Sequence, residues 1–419
     1  MRLIRHMVLG LALVALGTVA FAQEEDQSGR ESPTAVWKSE RNFNAVQEAW
    51  ELVANEQYAE AEAEFSELVE SIGDPYEKSQ AMFGLAQAMM MRDKFNPALA
   101  LYEQIVEMDV LPNKPHFDAM FQIAQLYYMR ENYDKSLEWI DRWMRDSGEE
   151  KVEAYELKAS IYAQKEDYRK AINNIDTAIA MSDEPKETWY QLKLAMHYEL
   201  KEFQEAKDVL EILVRGWPDK KQYWVQLASL NVTLKNDEEA LAILALAHRK
   251  GMLDKEQDWM QLFSLYGYMN VPYEAAKVLD EGIQKGFVEP DKRIWEQLGN
   301  AYYAAQELDE AVGALSKAAD LSQDGKLNMQ VAYILIDQER WEDAKAQLAD
   351  AIEKGGLNET QTGNMYVLLG MAEMNTGNRT AARQAFRQAR NYPKSRSAGQ
   401  QWLNHLDELA KREEGETGP

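Results

Sequence analysis

The side chains best equipped for chemistry in this sequence are five histidines, a methionine triplet and several acidic pairs. His6, His116, His197, His248 and His405 are scattered along the chain. None stands in the H-x-x-x-H or H-E-x-x-H spacing that sets two imidazoles on one helical face for zinc. Met89-Met90-Met91 offers soft sulfur ligands, but consecutive helical residues point about 100° apart, so the triplet reads as packing. Asp309-Glu310 and Asp237-Glu238-Glu239 could supply a general acid and base, yet they stand where helices begin, and carboxylates favour the positive helix end. The sequence contains no G-x-S-x-G elbow, phosphate loop, dinucleotide fingerprint or EF-hand ligand series. Without a cysteine, disulfides and thiolate metal sites are excluded. The expectation is a non-enzyme with no catalytic residue, no cofactor and no metal.

The elements around these residues explain their scatter. Equivalent small residues stand at Ala61, Ala98, Ser136, Ala171, Ala206, Ala240, Ala275, Ala311, Ala344 and Ala382, separated by 33 to 38 residues. Each interval holds two amphipathic helical segments and a short polar turn. Trp295, Leu298, Gly299 and Tyr302 fall at i, i+3, i+4 and i+7 of one helix, and Ala311, Leu315 and Ala318 share a face of the next. Small residues let two helices approach, and large ones fill the space beside them. His197 occupies the position of Tyr302 in its own interval, so it is expected to pack.

This period and residue set resemble the tetratricopeptide repeat, whose W-x₂-L-G-x₂-Y signature is matched from Trp295 to Tyr302. Asn231 and Lys193 replace expected apolar residues. The resemblance implies an all-α, right-handed α-solenoid of about ten hairpins over residues 41–396. One hairpin cannot bury its apolar face alone, so neighbours must stack and the ends need caps. Residues 397–414 turn Trp402, Leu403, Leu406 and Leu409 to one side, as a C-terminal capping helix would. Residues 415–419 are expected to be a disordered tail.

On the first helix of each hairpin, the face opposite the packing row has its own composition. Phe83, Gln87, Phe121, Gln125, Tyr128, Gln191, Tyr198, Met260, Ser264, Asn300, Tyr303, Met329, Tyr333 and Met371 lie on it. Aromatic, Met and amide side chains stand where a purely solvated face would carry Lys and Glu. That composition suits recognition of a peptide or helix, since Tyr and Met supply contact area and amides pair with backbone. Its alternative is burial of the same row between neighbouring helices. No repeat pairs Lys with Asn four residues later at the start of this row, so the carboxylate clamp of chaperone adaptors that share the repeat is not expected.

The chain has 419 residues and 46 Lys plus Arg against 71 Asp plus Glu, a net charge of −25. Such a surface repels phosphate backbones and anionic lipid, which argues against nucleic-acid binding and peripheral membrane docking. Residues 1–22 combine Arg2 and Arg5, an apolar run from Met7 to Val19, and Ala20-Phe21-Ala22. These are the parts of a secretory signal peptide cleaved after Ala22. No later segment is apolar enough to span a bilayer. Residues 23–40 are polar, acidic and aperiodic, the composition of a flexible leader.

From Lys221 to Asp407, stretches such as KQYWVQLASL, VPYEAAKVLDEGIQKGFVE and FRQARNYPKSRSAGQQWLNHL resemble exported tetratricopeptide proteins associated with TonB energy-transduction systems of Gram-negative bacteria. The resemblance implies a periplasmic accessory of motor complexes that energise outer-membrane uptake of iron chelates or other nutrients. Its partners would be envelope proteins, TonB-type motor components among them. A scaffold or chaperone for envelope assembly or polysaccharide export would share every feature above. A small-molecule binder or enzyme would need a pocket with convergent polar groups.

Overall fold

A computed structural model describes residues 28–416, with side chains described to residue 411. The signal-peptide reading of residues 1–22 lies outside it. Among the described residues there are twenty-one α-helices and no strand. The chain divides into two compact units, one ending at Glu202 and the other starting at Phe203. Unit 1 holds α1 (Glu40–Ala54), α2 (Tyr58–Ser71), α3 (Pro75–Met91), α4 (Phe95–Met108), α5 (Asn113–Met129), α6 (Tyr133–Ser147), α7 (Val152–Gln164), α8 (Tyr168–Met181) and α9 (Glu187–Glu199). Unit 2 holds α10 (Phe203–Gly216), α11 (Lys221–Thr233), α12 (Asp237–Arg249), α13 (Glu256–Tyr268), α14 (Pro272–Gln284), α15 (Lys292–Ala304), α16 (Leu308–Asp320), α17 (Lys326–Asp337), α18 (Trp341–Lys354), α19 (Glu359–Asn375), α20 (Arg379–Ala389) and α21 (Arg396–Glu416).

Unit 1 holds four helical hairpins, α1–α2 to α7–α8, and unit 2 holds five, α11–α12 to α19–α20, with α21 after them, so the α-solenoid architecture expected from the repeat is present. All ten small residues that mark the period are buried, none more than 1% exposed. Ser136 keeps its hydroxyl in that position by donating to the Ala124 carbonyl at 2.6 Å. Asn231 is likewise satisfied, with Nδ2 donating to the Leu227 carbonyl at 2.9 Å and Oδ1 accepting from Asn236.

Gly299 and Gly370 are required by close approach. A Cβ at Gly299 would stand 2.5 Å from Leu315 Cγ, and one at Gly370 would stand 2.4 Å from the Phe386 ring. Turns inside the hairpins repeat a second device. Glu56, Asp93, Glu131, Glu166, Lys201, Lys235, Asn270, Gln306, Glu339 and Gly377 all have positive φ. After α15, Gln306 N–H donates to the Tyr303 carbonyl at 3.0 Å and Glu307 N–H to the Tyr302 carbonyl at 2.9 Å, which satisfies the carbonyls left open at a helix end.

At the C-terminal end Leu403 and Leu406 are buried with Ala382 and Phe386, and Trp402 stacks on Phe386 with centroids 5.6 Å apart. Here α21 starts one residue before the expected cap and includes Gly415 and Glu416. The remainder of the expected tail, residues 417–419, lies outside the described residues.

From Ser28 onward, the leader departs from the expectation of a segment without fixed contacts. It crosses the N-terminal ends of α5, α3 and α1. Arg30 binds Asp109 and Asn113, Trp37 packs edge-on against Phe43 and Tyr76, and Ser39 caps α1 by accepting from Asn42 N–H. Glu77, 1% exposed, accepts from Lys38 N–H at 2.6 Å, Ser39 N–H at 2.8 Å and Asn42 Nδ2 at 2.7 Å. Composition missed the contacts of Arg30 with Asp109 and Asn113 and those made by Glu77 because each joins residues more than thirty positions apart.

Candidate protein-binding surface

The fourteen residues of the expected recognition row divide by the neighbours each helix meets. In unit 1 most are drawn into packing. The Phe83 ring meets Tyr102 edge-on at 5.4 Å, Phe121 meets Trp143 at 5.2 Å, and Tyr128 lies against Tyr133 at 5.9 Å. Gln87 Oε1 accepts from the Tyr102 hydroxyl at 3.2 Å. Gln125 and Tyr198 are half-buried, as is Gln191, whose Nε2 donates to Glu187 Oε1 at 3.2 Å. The aromatic members here fill gaps between helices, because their ring edges reach second-helix aromatics that the sequence pattern alone does not pair.

Unit 2 leaves more of the row open. Ser264, Asn300, Tyr303 and Tyr333 are exposed, the two tyrosines by 45% and 41%. Met260, Met329 and Met371 are half-buried against the core beneath. Polar side chains link neighbouring first helices across this face. Gln330 Nε2 donates to Asn300 Oδ1 at 2.9 Å, and Gln261 Nε2 donates to Ser229 Oγ at 3.1 Å. The sequence reading missed Gln261 and Gln330 because they stand one position beside the row. A signal was present: Gln226, Gln261, Gln297 and Gln330 recur at one register position in four successive hairpins. Tyr268, at the end of α13, is 73% exposed and was also missed.

Chemically, this face offers amides and hydroxyls with spare acceptor and donor capacity, flanked by tyrosine rings. An amide side chain can accept from one peptide N–H and donate to one carbonyl. Tyrosine adds apolar contact with little loss of rotamer freedom. Beside it, Tyr302 is kept protonated, pushed up to about 12 by burial and by the nearby Asp280 carboxylate. Tyr302 is therefore a donor, not an acid, at neutral pH.

The remaining residues singled out for chemistry have structural roles. His197 is buried, with Nδ1 2.9 Å from Glu202 Oε2. Asp309-Glu310 and Asp237-Glu238-Glu239 occupy the first turns of α16 and α12. Met89, Met90 and Met91 are half-buried on three directions of α3. Among the described residues, no three His, Asp or Glu side chains converge as metal ligands, and no helix is long and apolar enough to cross a membrane.

Comparison with known proteins bears on the repeat. Family profiles described as "Tetratricopeptide repeat" match residues 92–150, 152–185, 261–326 and 332–396. No curated protein matches the sequence. Among solved structures, the chain is similar to a tetratricopeptide repeat protein from Parabacteroides merdae, at 14% identity over 68% of this chain and 94% of that one, with a TM-score of 0.39. It is also similar to YrrB, described as a TPR protein with an unusual peptide-binding site, at 15% identity over 46% of this chain and 97% of that one, TM-score 0.33. A third is the TPR2AB-domain:pHSP90-complex of yeast Sti1, at 16% identity over 62% of this chain and 96% of that one, TM-score 0.33.

Proposed function

Since the chain belongs to the tetratricopeptide repeat family, whose members mediate protein–protein contact, we propose that it is a non-catalytic scaffold that binds a protein partner on the first-helix face of unit 2. The observation that carries this reading is the combination at α15 and α17: Tyr303 and Tyr333 exposed, with the Gln330–Asn300 amide pair between neighbouring helices. A face meant only for solvent has no need of two large rings there, and a face meant only for packing would cover them. An extended segment laid across the amides could exchange their mutual hydrogen bonds for bonds to its own backbone, at little net cost in polar pairing.

The setting we propose is the periplasm, after export through the signal in residues 1–22, as an accessory of a TonB-type system. The resemblance of residues 221–407 to exported proteins of that kind supports it, together with the charge, apolar run and small-residue site of the first 22 residues.

Asn300→Ala combined with Tyr303→Ala should reduce partner recovery from envelope extract while leaving the thermal melt unchanged, because neither side chain is buried. Equal recovery by this variant and the wild type would sink the surface assignment. Crosslinking in cells from position 303 would then separate the settings. A TonB-type motor subunit in the adduct supports the transport reading, and an assembly or polysaccharide-export component overturns it.

A further inference from the structure

The contacts of Arg30 form a built recognition site at the turn between α4 and α5. Arg30 Nε and Nη2 both donate to Asp109 Oδ1, at 2.9 and 2.7 Å. Nη2 also donates to the Leu111 carbonyl at 2.9 Å, and Nη1 donates to Asn113 Oδ1. Asn113 reads the backbone around the arginine as well. Its Nδ2 donates to the Arg30 carbonyl at 3.1 Å and to Ser28 Oγ at 2.8 Å, while its N–H donates to Ser32 Oγ at 3.2 Å. Thus Ser28-Gly29-Arg30-Glu31-Ser32 lies on unit 1 as a short peptide ligand would, with one guanidinium and two hydroxyls read by side chains and main chain.

Two further features separate this from ordinary packing of a chain end. Asp109 has φ 52°, the left-handed region. The other positive-φ residues between hairpins are glycines: Gly148, Gly251, Gly286, Gly355 and Gly356. Asp is one of the few non-glycine residues that enter this region readily, and here its carboxylate receives Arg30. The second feature is the space beside the bound segment. Gly29 and Arg30 form one wall of an open cavity of about 590 Å³, with Arg142 and Asp146 on another. His116, 4% exposed, also lines it, and its Nδ1 makes no hydrogen bond.

The attachment is also divided along the segment. Trp37, Lys38 and Ser39 are anchored by rings and by Glu77, whereas Thr34, Ala35 and Val36 are exposed. Residues 28–32 make polar contacts to Asp109, Leu111 and Asn113, and Asp109 is open to water. That arm can leave without disturbing the anchor.

We propose that the α4–α5 turn is a binding site for an extended segment carrying an arginine between small hydroxyl residues, and that residues 28–32 occupy it in cis and exclude such segments from other chains. A tether of a few residues gives the cis arm an effective concentration on the order of millimolar, so a competitor enters only when the arm is weakened. This site is in unit 1 and is independent of the surface proposed for partner binding in unit 2.

The test uses the full chain and a fluorescent peptide of residues 27–34, QSGRESPT, followed by anisotropy. Arg30→Ala leaves the site without its guanidinium and should bind the peptide at least about tenfold more tightly than the wild type, the scale of one charge-assisted pair. Adding Asp109→Asn to Arg30→Ala should abolish that gain. Asparagine tolerates the left-handed backbone, and matching thermal melts would confirm that the variants fold. A peptide in which arginine is replaced by glutamine should not bind. Equal binding by Arg30→Ala and the wild type, or binding that survives Asp109→Asn, would overturn the proposal.

Discussion

Adding one methyl group at Gly299 opposes two effects of similar size, and the structure predicts which prevails. Alanine in a helix interior is favoured over glycine by about 1 kcal/mol. Against that, the new Cβ would stand 2.5 Å from Leu315 Cγ, 2.8 Å from its Cδ2 and 3.0 Å from its backbone N. The side chain could turn, but Leu315 is fully buried, and the backbone atom moves only if α16 moves. Overpacking of this kind costs roughly 1–3 kcal/mol, and contact with backbone places it toward the upper end. The expected net loss is therefore about 1–2 kcal/mol.

Gly313→Ala, in the exposed middle of α16, is the internal control. Nothing lies within 4 Å of its Cβ position, so it should stabilise by about 0.5–1 kcal/mol. Urea unfolding followed by helical circular dichroism should move the two midpoints in opposite directions. In a Leu315→Ala background the penalty at Gly299 should shrink, since the two shortest of its three close contacts are gone and only the backbone N remains. A Gly299→Ala protein as stable as Gly313→Ala would refute the close-approach account of the repeat.

Two further outcomes follow from buried titratable groups in unit 1. Burial would raise the Glu77 carboxyl, but donation from Asn42 Nδ2 and from the Ser39 and Lys38 amides holds it below the ordinary value. Its contribution is thus present above the unfolded carboxyl range and lost as pH falls through the lower folded value. Glu77→Ala strands those donors and should cost about 1–3 kcal/mol, read as faster hydrogen exchange in α1. His116 is lowered to about 4, by burial first and then by the Arg30 charge. Unfolded chain therefore takes up a proton near pH 6.5 that folded chain refuses, so stability is unaffected above that pH and declines from there toward pH 4. The decline should be at most roughly 3 kcal/mol and should be absent in His116→Gln when melts at pH 7 and 4.5 are compared.

Helix pairing, period and register were legible in the residues themselves. The ten small residues from Ala61 to Ala382 all proved buried, because a 3.6-residue periodicity and a small contact residue constrain only near neighbours, and hairpin stacking is a near-neighbour problem. Lys193, read as a departure at an apolar position, pairs with Asp176 at 2.5 Å. That too is a contact within one repeat's reach.

Only the tertiary structure decided which polar and aromatic side chains on the first-helix faces remain available. Phe121 and Tyr303 stand in the same row of the pattern, yet one ring is taken by Trp143 and the other is left to solvent. The Asn300–Gln330 pair joins helices 30 residues apart, and the Arg30 site joins a leader to a turn 79 residues away. Periodicity reports which face of a helix a residue occupies. Whether that face is filled, paired or open depends on what the neighbouring helix places within a few ångströms of it, and that is settled in three dimensions.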